Sequence, residues 1–95
     1  MTKLTLAQIR AAQTSVPEWR RTGQVIRRTF AFKDFVVAMK FVVAVARLAE
    51  RAGHHPDIGI RWSKVTLALS THDAGGLTEK DFALAEKFDS LAGKF

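Results

Sequence analysis

The sequence predicts a single α+β domain over residues 1–95, in which an antiparallel sheet is covered on one face by helices. Two observations predict this class. Signals for a helix, two strands, a long helix, one or two strands and a helix follow one another with short connections, so runs of strands stand between helices. Thr22-Gly23 supplies turn chemistry between two neighbouring strands, which is typical of an antiparallel hairpin.

The first helix and the hairpin are predicted from hydrophobic periodicity and from the residues that end them. Apolar residues at helical spacing indicate a helix over residues 5–14, and Pro17 ends it because proline disfavours the α region for the residue before it. The hairpin strands are expected over residues 19–21 and 24–32. One face of the second strand carries Ile26, Arg28, Phe30 and Phe32. Because this alternation is imperfect, we expect one face of the hairpin to be only partly covered.

A long, largely apolar helix is predicted over residues 35–52. Asp34 is suited to cap its N-terminus, and Gly53 stands where a left-handed residue commonly follows a helix. The polar stripe of this helix is narrow and consists of Lys40, Arg47, Glu50 and Arg51. A helix that is apolar nearly all round packs on more than one side, and this packing must offset the weak helix propensity of its β-branched residues.

A further strand and a final helix complete the domain. Alternating apolar and polar residues predict a strand over residues 61–71, and residues 57–60 are a candidate edge strand. Gly75-Gly76 marks a turn. Residues 78–81 resemble a capping box with Asp in place of the usual Glu or Gln. The apolar face of the last helix holds Phe82, Ala85, Phe88 and Leu91.

Composition limits which stabilising crosslinks, cellular locations and partners are expected for the protein. The chain has no cysteine, which excludes disulfides and thiolate metal sites, and its small core makes oligomerisation the obvious way to bury more apolar surface. The longest apolar stretch, residues 35–46, is too short and broken to span a bilayer, and the first residues carry no leader signal. We therefore expect a cytoplasmic protein with no membrane partner. The net charge of +6 comes from scattered Lys and Arg, which favours a solvated surface or an anionic small ligand over direct nucleic-acid binding.

All the histidines lie in two short segments that follow regular elements. His54 and His55 follow the long helix and precede Pro56, whereas His72 follows the predicted strand. Loop ends on a rigid scaffold commonly present functional groups, and imidazole, with an unperturbed pKa of about 6.5, suits proton transfer near neutral pH. The three histidines are therefore candidate catalytic residues, and the alternative is that they are ordinary polar loop residues.

Other chemistries leave weaker signals. The sequence has neither an H-E-x-x-H motif nor an H-x-x-x-H pair, so we predict no metal site. Gly75-Gly76 is not followed by the Lys-Ser/Thr of a phosphate-binding loop. Ser70 and His72 would share one face of a strand as a nucleophile pair, but nothing marks an oxyanion hole beside them.

Four further residues each have two interpretations. Trp19 and Trp62 are flanked by charges, yet a tryptophan in an alternating strand is more often a core or interface residue than a ligand platform. Glu50 lies one helical turn before His54, and Asp81 opens the last helix. Each carboxylate either belongs to the site or is, respectively, a solvated helix residue and a cap.

Three motifs carry a family resemblance: AERAGHHPD at residues 49–57, WSKV at residues 62–65 and LSTHDAGGLT at residues 69–78. They resemble the pterin-4a-carbinolamine dehydratase family, and the resemblance continues through Trp19, residues 30–35 and Asp81. It covers nearly the whole chain. The combination of E-x-x-x-H-H-P with a later S-T-H and G-L-T is specific, whereas a bare H-H-P is not.

The resemblance implies a four-stranded antiparallel sheet with helices packed on one face, in the order α-β-β-α-β-β-α. It also implies a homodimer or homotetramer in which sheets can join edge to edge. The implied activity is that of a dehydratase, a lyase that removes the hydroxyl of 4a-hydroxytetrahydropterin as water and gives quinonoid dihydropterin. This reaction recycles tetrahydrobiopterin for aromatic amino acid hydroxylases, one of which is an expected partner in the same pathway. No metal or bound cofactor is implied.

The resemblance also implies a role for each site residue. His54 is the leading candidate acid for the departing hydroxyl, His72 acts from the opposite loop as base or second acid, and His55 mainly binds and orients the pterin. The residues expected to meet the pterin, several of them through backbone groups, are Gly53, His54, His55, Ser70, Thr71, His72 and Asp73. The supporting residues are Glu50 and Asp81 beside the histidines, Pro56 in the loop and Trp19 in the pocket wall.

The alternative to an enzyme is a binding module. Animal relatives in the family also serve as a dimerisation partner of a homeodomain transcription factor, and that role needs a helical surface but no histidines. The presence of His54, His55 and His72 favours the enzyme.

Overall fold

The computed structural model describes residues 2–95 and confirms the predicted α+β class. In chain order the elements are α1 Leu6–Gln13, β1 Arg20–Thr22, β2 Val25–Ala31, α2 Phe35–Ala52, β3 Asp57–Arg61, β4 Lys64–Leu69, a 3₁₀ turn His72–Ala74 and α3 Glu79–Ala92. The predicted bounds of the first helix, the hairpin and the long helix agree with these to within one residue.

The four strands form one antiparallel sheet in the order β1-β2-β4-β3, so β4 lies between β2 and β3. The candidate edge strand at residues 57–60 is therefore confirmed as part of β3, whose residue Ile60 pairs with Val65. On the other side of β4, Phe30 of β2 pairs with the same Val65. This arrangement is the four-stranded sheet that the family resemblance implies.

The expected strand over residues 61–71 is wrong at both ends. Arg61 ends β3, residues 62–63 form the turn into β4, and Trp62 adopts a φ of 54° in that turn. After Leu69 the strand stops, and Thr71 pairs only with Gly76 in an isolated bridge. The Trp62 side chain is 76% exposed in that turn, so it is not a core residue.

Side-chain caps fix where the helices begin. The Thr5 hydroxyl accepts from the Gln8 N–H, while the Gln8 side chain accepts from the Thr5 N–H. Asp34 accepts from Val37 at the start of α2. The predicted capping box of α3 is also confirmed, since the Thr78 N–H donates to the Asp81 carboxylate at 2.9 Å.

The core lies between the helices and one face of the sheet. The sheet residues buried on this face are Ile26, Phe30, Val65, Leu67 and Leu69. Phe41 of α2 packs on them, with its ring centroid 5.0 Å from that of Phe30. Arg28 shares this face near its rim, where its guanidinium reaches Asp89 of α3 at 2.8 Å. The opposite face, which carries Arg27 and Thr29, is exposed, as expected for a hairpin covered on one side.

Within one chain, α2 packs on one side only. Phe41 and Val45 are fully buried, whereas Phe35 and Val36 are 55% and 61% exposed. The sequence predicts a helix packed on more than one side. Within the described residues of a single chain, however, no other element covers the side of α2 that carries Phe35 and Val36. Although α2 is long, no helix within residues 2–95 combines the length and apolar character needed to cross a membrane.

Candidate active site

The register of the sheet brings three loops to one end of it. Asp57 of β3 pairs with Ala68 of β4, so the segment before β3 and the segment after β4 lie side by side. Ile26 of β2 pairs with Leu69, which places the β1–β2 turn at the same end. The histidine segments at residues 54–56 and 70–73, which are separate in sequence, therefore lie at one rim of the sheet.

The C-terminus of α2 fixes the backbone at His54. Gly53 adopts the left-handed conformation, with φ 63° and ψ 27°, and its N–H donates to the Glu50 carbonyl. The His54 N–H donates to the Ala49 carbonyl at 3.2 Å, which completes the helix end. Pro56 is partly buried and leads directly into β3. The position of His54 is thus set by helix capping.

The His54 ring is bonded to a buried carboxylate. Its Nε2 lies 2.6 Å from Oδ1 of Asp81, and the exposed fractions of the two side chains are 13% and 0%. Asp81 stands in the first turn of α3, so this contact joins the end of one helix to the start of another. The predicted site residues His54 and Asp81 are therefore brought together.

The other oxygen of Asp81 is held by the loop that carries His72. Oδ2 accepts from the Thr71 hydroxyl at 2.8 Å and from the Thr78 N–H at 2.9 Å. The Thr78 hydroxyl lies 2.8 Å from that of Thr71, and because the Thr71 hydroxyl donates to Asp81, it accepts from Thr78. With Oδ2 accepting two hydrogen bonds, we assign the ring hydrogen of His54 to Nε2, which leaves Nδ1 for a substrate.

His55 is bonded to Glu50, on the exposed side of the site. Its Nε2 lies 3.0 Å from Oε2 of Glu50, and both side chains are largely exposed. An exposed pair of this kind contributes little to stability. The two adjacent histidines therefore differ: the ring of His54 is anchored in the interior and that of His55 is open to solvent.

His72 is presented by a short closed turn. It opens the 3₁₀ turn His72–Ala74, and the Thr71 and Gly76 backbones exchange hydrogen bonds across that turn. Unlike the other two histidines, it forms no ring hydrogen bond within residues 2–95, and it is exposed together with Asp73. His72 directly follows Thr71 in sequence, and the Thr71 hydroxyl donates to Asp81, the carboxylate that holds His54. The backbone at His72 is therefore joined to the site of His54 through one neighbouring residue.

Two predicted residues have their side chains engaged elsewhere. The Ser70 hydroxyl donates to the Gln24 carbonyl at 2.8 Å. Trp19 is buried in the core, where its Nε1 donates to Asp89 at 2.8 Å. That network is separate from the bonds of the histidines, and the expected place of Trp19 in the pocket wall stays a prediction.

Sequence reasoning missed two residues of this region. Thr78 was identified only as a cap, although its hydroxyl also completes the chain of hydrogen bonds to Asp81. Gln24 was not identified at all, although it bonds to both ends of the loop that carries His72. No local pattern signals Gln24, because its partners are 46 and 53 residues away in sequence.

Across the described part of the chain, residues 2–95, no three His, Asp or Glu side chains gather into a group that would hold a metal ion. The arrangement instead offers an anchored imidazole beside an exposed one, which suits proton transfer.

The chain matches one family over most of its length. The family model described as pterin 4 alpha carbinolamine dehydratase matches residues 2–91. A protein of Roseiflexus sp. (strain RS-1), provisionally named a pterin-4-alpha-carbinolamine dehydratase, is 56% identical over 90 residues, which make up 95% of this chain and 97% of that protein.

Two solved structures resemble the fold. A transcriptional coactivator/pterin dehydratase from Brucella melitensis superposes with a TM-score of 0.92 at 33% identity, covering 97% of this chain and 100% of that chain. A pterin dehydratase-like protein, identified as a RuBisCO assembly factor in the alpha-carboxysome, gives a TM-score of 0.69 at 32% identity, covering 80% of this chain and 90% of that one.

Proposed function

The chain belongs to the pterin 4 alpha carbinolamine dehydratase family, and on that premise we propose that it removes water from 4a-hydroxytetrahydropterin to give quinonoid dihydropterin. The observation that carries the proposal is the 2.6 Å contact between His54 and the buried Asp81, next to the loop that presents His72. The product would return to the cofactor pool of aromatic amino acid hydroxylases, and we expect the protein to work in the cytoplasm.

The proposed reaction needs one proton delivered and one removed. The bond from carbon 4a to its hydroxyl breaks, the hydroxyl leaves with an added proton as water, and a ring nitrogen of the pterin loses a proton. Positioned acid and base groups contribute on the order of 10²–10⁴ each to the rate of such steps. No metal or bound cofactor takes part in the proposed reaction.

In this proposal His54 is the acid that protonates the departing hydroxyl. Asp81 accepts from Nε2, so the ring is held in one orientation and the proton is delivered from Nδ1. The fixed carboxylate also stabilises the doubly protonated ring from which that proton comes. Thr71 and Thr78 keep the carboxylate in place, because both donate to the Asp81 oxygen that His54 does not use.

The other residues in the proposal act on the bound pterin. His72, with an unbonded ring, is the base or second acid on the opposite loop. His55, paired with Glu50 at the surface, binds and orients the substrate. The backbone groups of Gly53 and of residues 70–73 are proposed to meet the edge of the pterin ring.

The test is the dehydration of freshly generated 4a-hydroxytetrahydropterin, followed by ultraviolet absorbance. We expect the native protein to accelerate the reaction, and the variants His54→Ala and His72→Ala to lose most of that rate while circular dichroism shows them folded. Leu6→Ala, an exposed change on α1, is the control and should keep the native rate. A native rate equal to that of buffer contradicts the dehydratase proposal.

We propose in addition that the chain self-associates through the outward side of α2. This side forms an apolar groove of about 530 Å³ lined by Phe35, Val36, Met39, Lys40, Val43, Ala44, Arg47 and Phe95. Burial of such a surface in a homodimer or homotetramer would supply the second packed side that the helix pattern requires. If the dehydration assay fails, the same surface supports the alternative of a non-catalytic binding module.

Sedimentation velocity tests the self-association. We expect the native protein to sediment as a dimer or tetramer and the double variant Val36→Glu, Val43→Glu to dissociate toward smaller species. Leu6→Glu places the same charge on another exposed apolar residue and should leave the assembly intact. A native monomer, or a double variant that sediments like the native protein, contradicts this proposal.

A further inference from the structure

We propose that Gln24 is a positioning residue that holds His72 in place by clamping both ends of the loop that carries it. The inference rests on the proposed function, because it assumes that His72 takes part in the reaction. Gln24 lies between β1 and β2, directly before Val25, and the loop in question, here called the His72 loop, comprises residues 70–78.

Two hydrogen bonds form the clamp. At the start of the His72 loop, the Ser70 hydroxyl donates to the main-chain carbonyl of Gln24 at 2.8 Å. Near its end, the Leu77 N–H donates to Oε1 of the Gln24 side chain at 2.9 Å. Leu77 is fully buried, so its N–H has no water available to replace that acceptor. One residue therefore ties down both arms of the loop.

A glycine makes room for the clamp. A Cβ at residue 76 would overlap the Gln24 side-chain amide, so that the amide reaches Leu77 only because residue 76 is glycine. The same Gly76 exchanges hydrogen bonds with Thr71 across the loop, with N–O distances of 3.1 and 3.2 Å. The clamp and this bridge together hold the two arms of the loop. The segment between the arms, residues 72–75, contains His72.

The clamp matters for His72 because its ring has no anchor of its own. His54 is held by Asp81, but within residues 2–95 the His72 ring forms no hydrogen bond. Its position is therefore decided by the backbone of its loop. A misplacement of about 1 Å in a reacting group costs on the order of 10² in rate, even when the mutation is remote from the chemistry. Gln24 holds both arms of that loop from outside it and so limits such a shift.

Isosteric variants separate the acceptor from the shape of the side chain. Gln24→Met keeps the length but removes the acceptor, and we expect kcat for dehydration to fall about 10- to 100-fold with KM changed by less than about threefold. Gln24→Glu keeps an oxygen acceptor for the Leu77 N–H and should restore most of the rate. Gln8→Met is the matched control, because the Gln8 side-chain oxygen also accepts from a main-chain N–H, that of Thr5, but at the start of α1 and away from the proposed site.

A double-mutant comparison shows whether Gln24 acts through His72. In a His72→Ala background, Gln24→Met should lower the remaining rate by less than about twofold, because the residue that it positions is gone. An equal fold-loss in both backgrounds would overturn the proposal, and so would a folded Gln24→Met protein with the native kcat. In the first case Gln24 would act on the reaction other than through His72, and in the second it would not act on it at all.

Nuclear magnetic resonance tests the clamp without reference to the reaction. Heteronuclear relaxation of the backbone amides of residues 72–76 should show increased motion in Gln24→Met and native-like order in Gln24→Glu. If the native protein has no dehydratase activity, the proposed function fails, and this measurement still decides whether Gln24 positions the loop. Unchanged order in Gln24→Met refutes the clamp whatever the activity.

Discussion

Replacement of Asp81 by asparagine is the sharpest single test of the site. The Asp81→Asn side chain has the same shape, and its amide oxygen can take the place of Oδ2 and keep the bonds from Thr71 and Thr78. Its NH₂ group then faces Nε2 of His54, where the carboxylate oxygen Oδ1 lies 2.6 Å away in the native protein. Because NH₂ is a donor, His54 must accept at Nε2, and its hydrogen moves to Nδ1.

The structure allows the two effects of this change to be estimated separately. At His54 the variant exchanges a hydrogen bond to a charged group, worth about 1.5–3 kcal/mol, for a neutral one worth about 0.5–1.5 kcal/mol. The bonds from Thr71 and Thr78 also lose their charged acceptor, and this loss is offset because a charge is no longer buried. The net loss of about 1–2 kcal/mol corresponds to a fall in Tm of roughly 4–16 °C for a domain of this size. Catalysis should suffer more, since a ring that accepts at Nε2 from the amide of the Asp81→Asn side chain cannot be doubly protonated, and this removes the acid function of His54, which is worth on the order of 10²–10⁴ in rate.

The assay combines dehydration kinetics with a direct observation of the imidazole. The rate is followed by ultraviolet absorbance, the unfolding by urea titration, and the ring hydrogen of His54 by ¹H–¹⁵N correlation spectra. Asp89→Asn is the matched control: Asp89 lies on the same helix and accepts from Trp19 and Arg28, each at 2.8 Å. It should lose comparable stability while its dehydration rate stays within about twofold of the native rate.

Three results would refute this reasoning. A folded Asp81→Asn protein that keeps more than about a third of the native rate would show that the carboxylate does not govern the acid. An equal loss of rate in Asp89→Asn would assign the effect to general destabilisation. A native spectrum with the hydrogen on Nδ1 of His54 would overturn the tautomer assignment itself.

Three further substitutions test, in turn, a buried bond of the site, an exposed contact of the site and the hydrophobic core. Thr71→Val removes the hydroxyl that Asp81 accepts from, so we expect a loss of about 1–3 kcal/mol in urea unfolding and a slower dehydration; unchanged stability would show that the buried bond is dispensable. His55→Ala breaks only an exposed contact, so unfolding should change by less than about 0.5 kcal/mol while KM rises several-fold; a large loss of kcat with KM unchanged would place His55 in the chemistry instead. Phe41→Ala empties the centre of the core and should cost about 3–5 kcal/mol in urea unfolding, a prediction contradicted by a cost below about 1 kcal/mol.

The helices and the hairpin were predictable because their signals are local. Thr5, Asp34 and Thr78 cap the helices that follow them, and a cap acts within one turn of its own helix. The hairpin turn at Gly23 likewise depends on adjacent residues. The strand at residues 61–71 was mispredicted at its start because the turn at residues 62–63 contains no Gly, Pro, Asn or Asp to mark it, although Trp62 adopts a φ of 54° there.

The candidate site was predictable in its residue types but not in its contacts. Family motifs identify His54, His55, His72, Glu50 and Asp81, and the structure pairs His54 with Asp81 and His55 with Glu50. Nothing in the sequence chooses this pairing over the reverse one. The choice depends on where α2 ends relative to the start of α3, which is a matter of helix packing.

The amino-acid sequence alone was therefore sufficient to predict the class of the domain, the bounds of most of its elements and the candidate side chains for proton transfer. Those properties depend on periodicity, caps and motifs, whose physical range is a few residues. Tertiary structure alone decided that the loops after α2 and β4 share one rim, that Asp81 binds His54, and that Gln24 clamps the loop of His72. These contacts join residues 27 and 53 positions apart, and they exist only once the sheet register has placed the loops together.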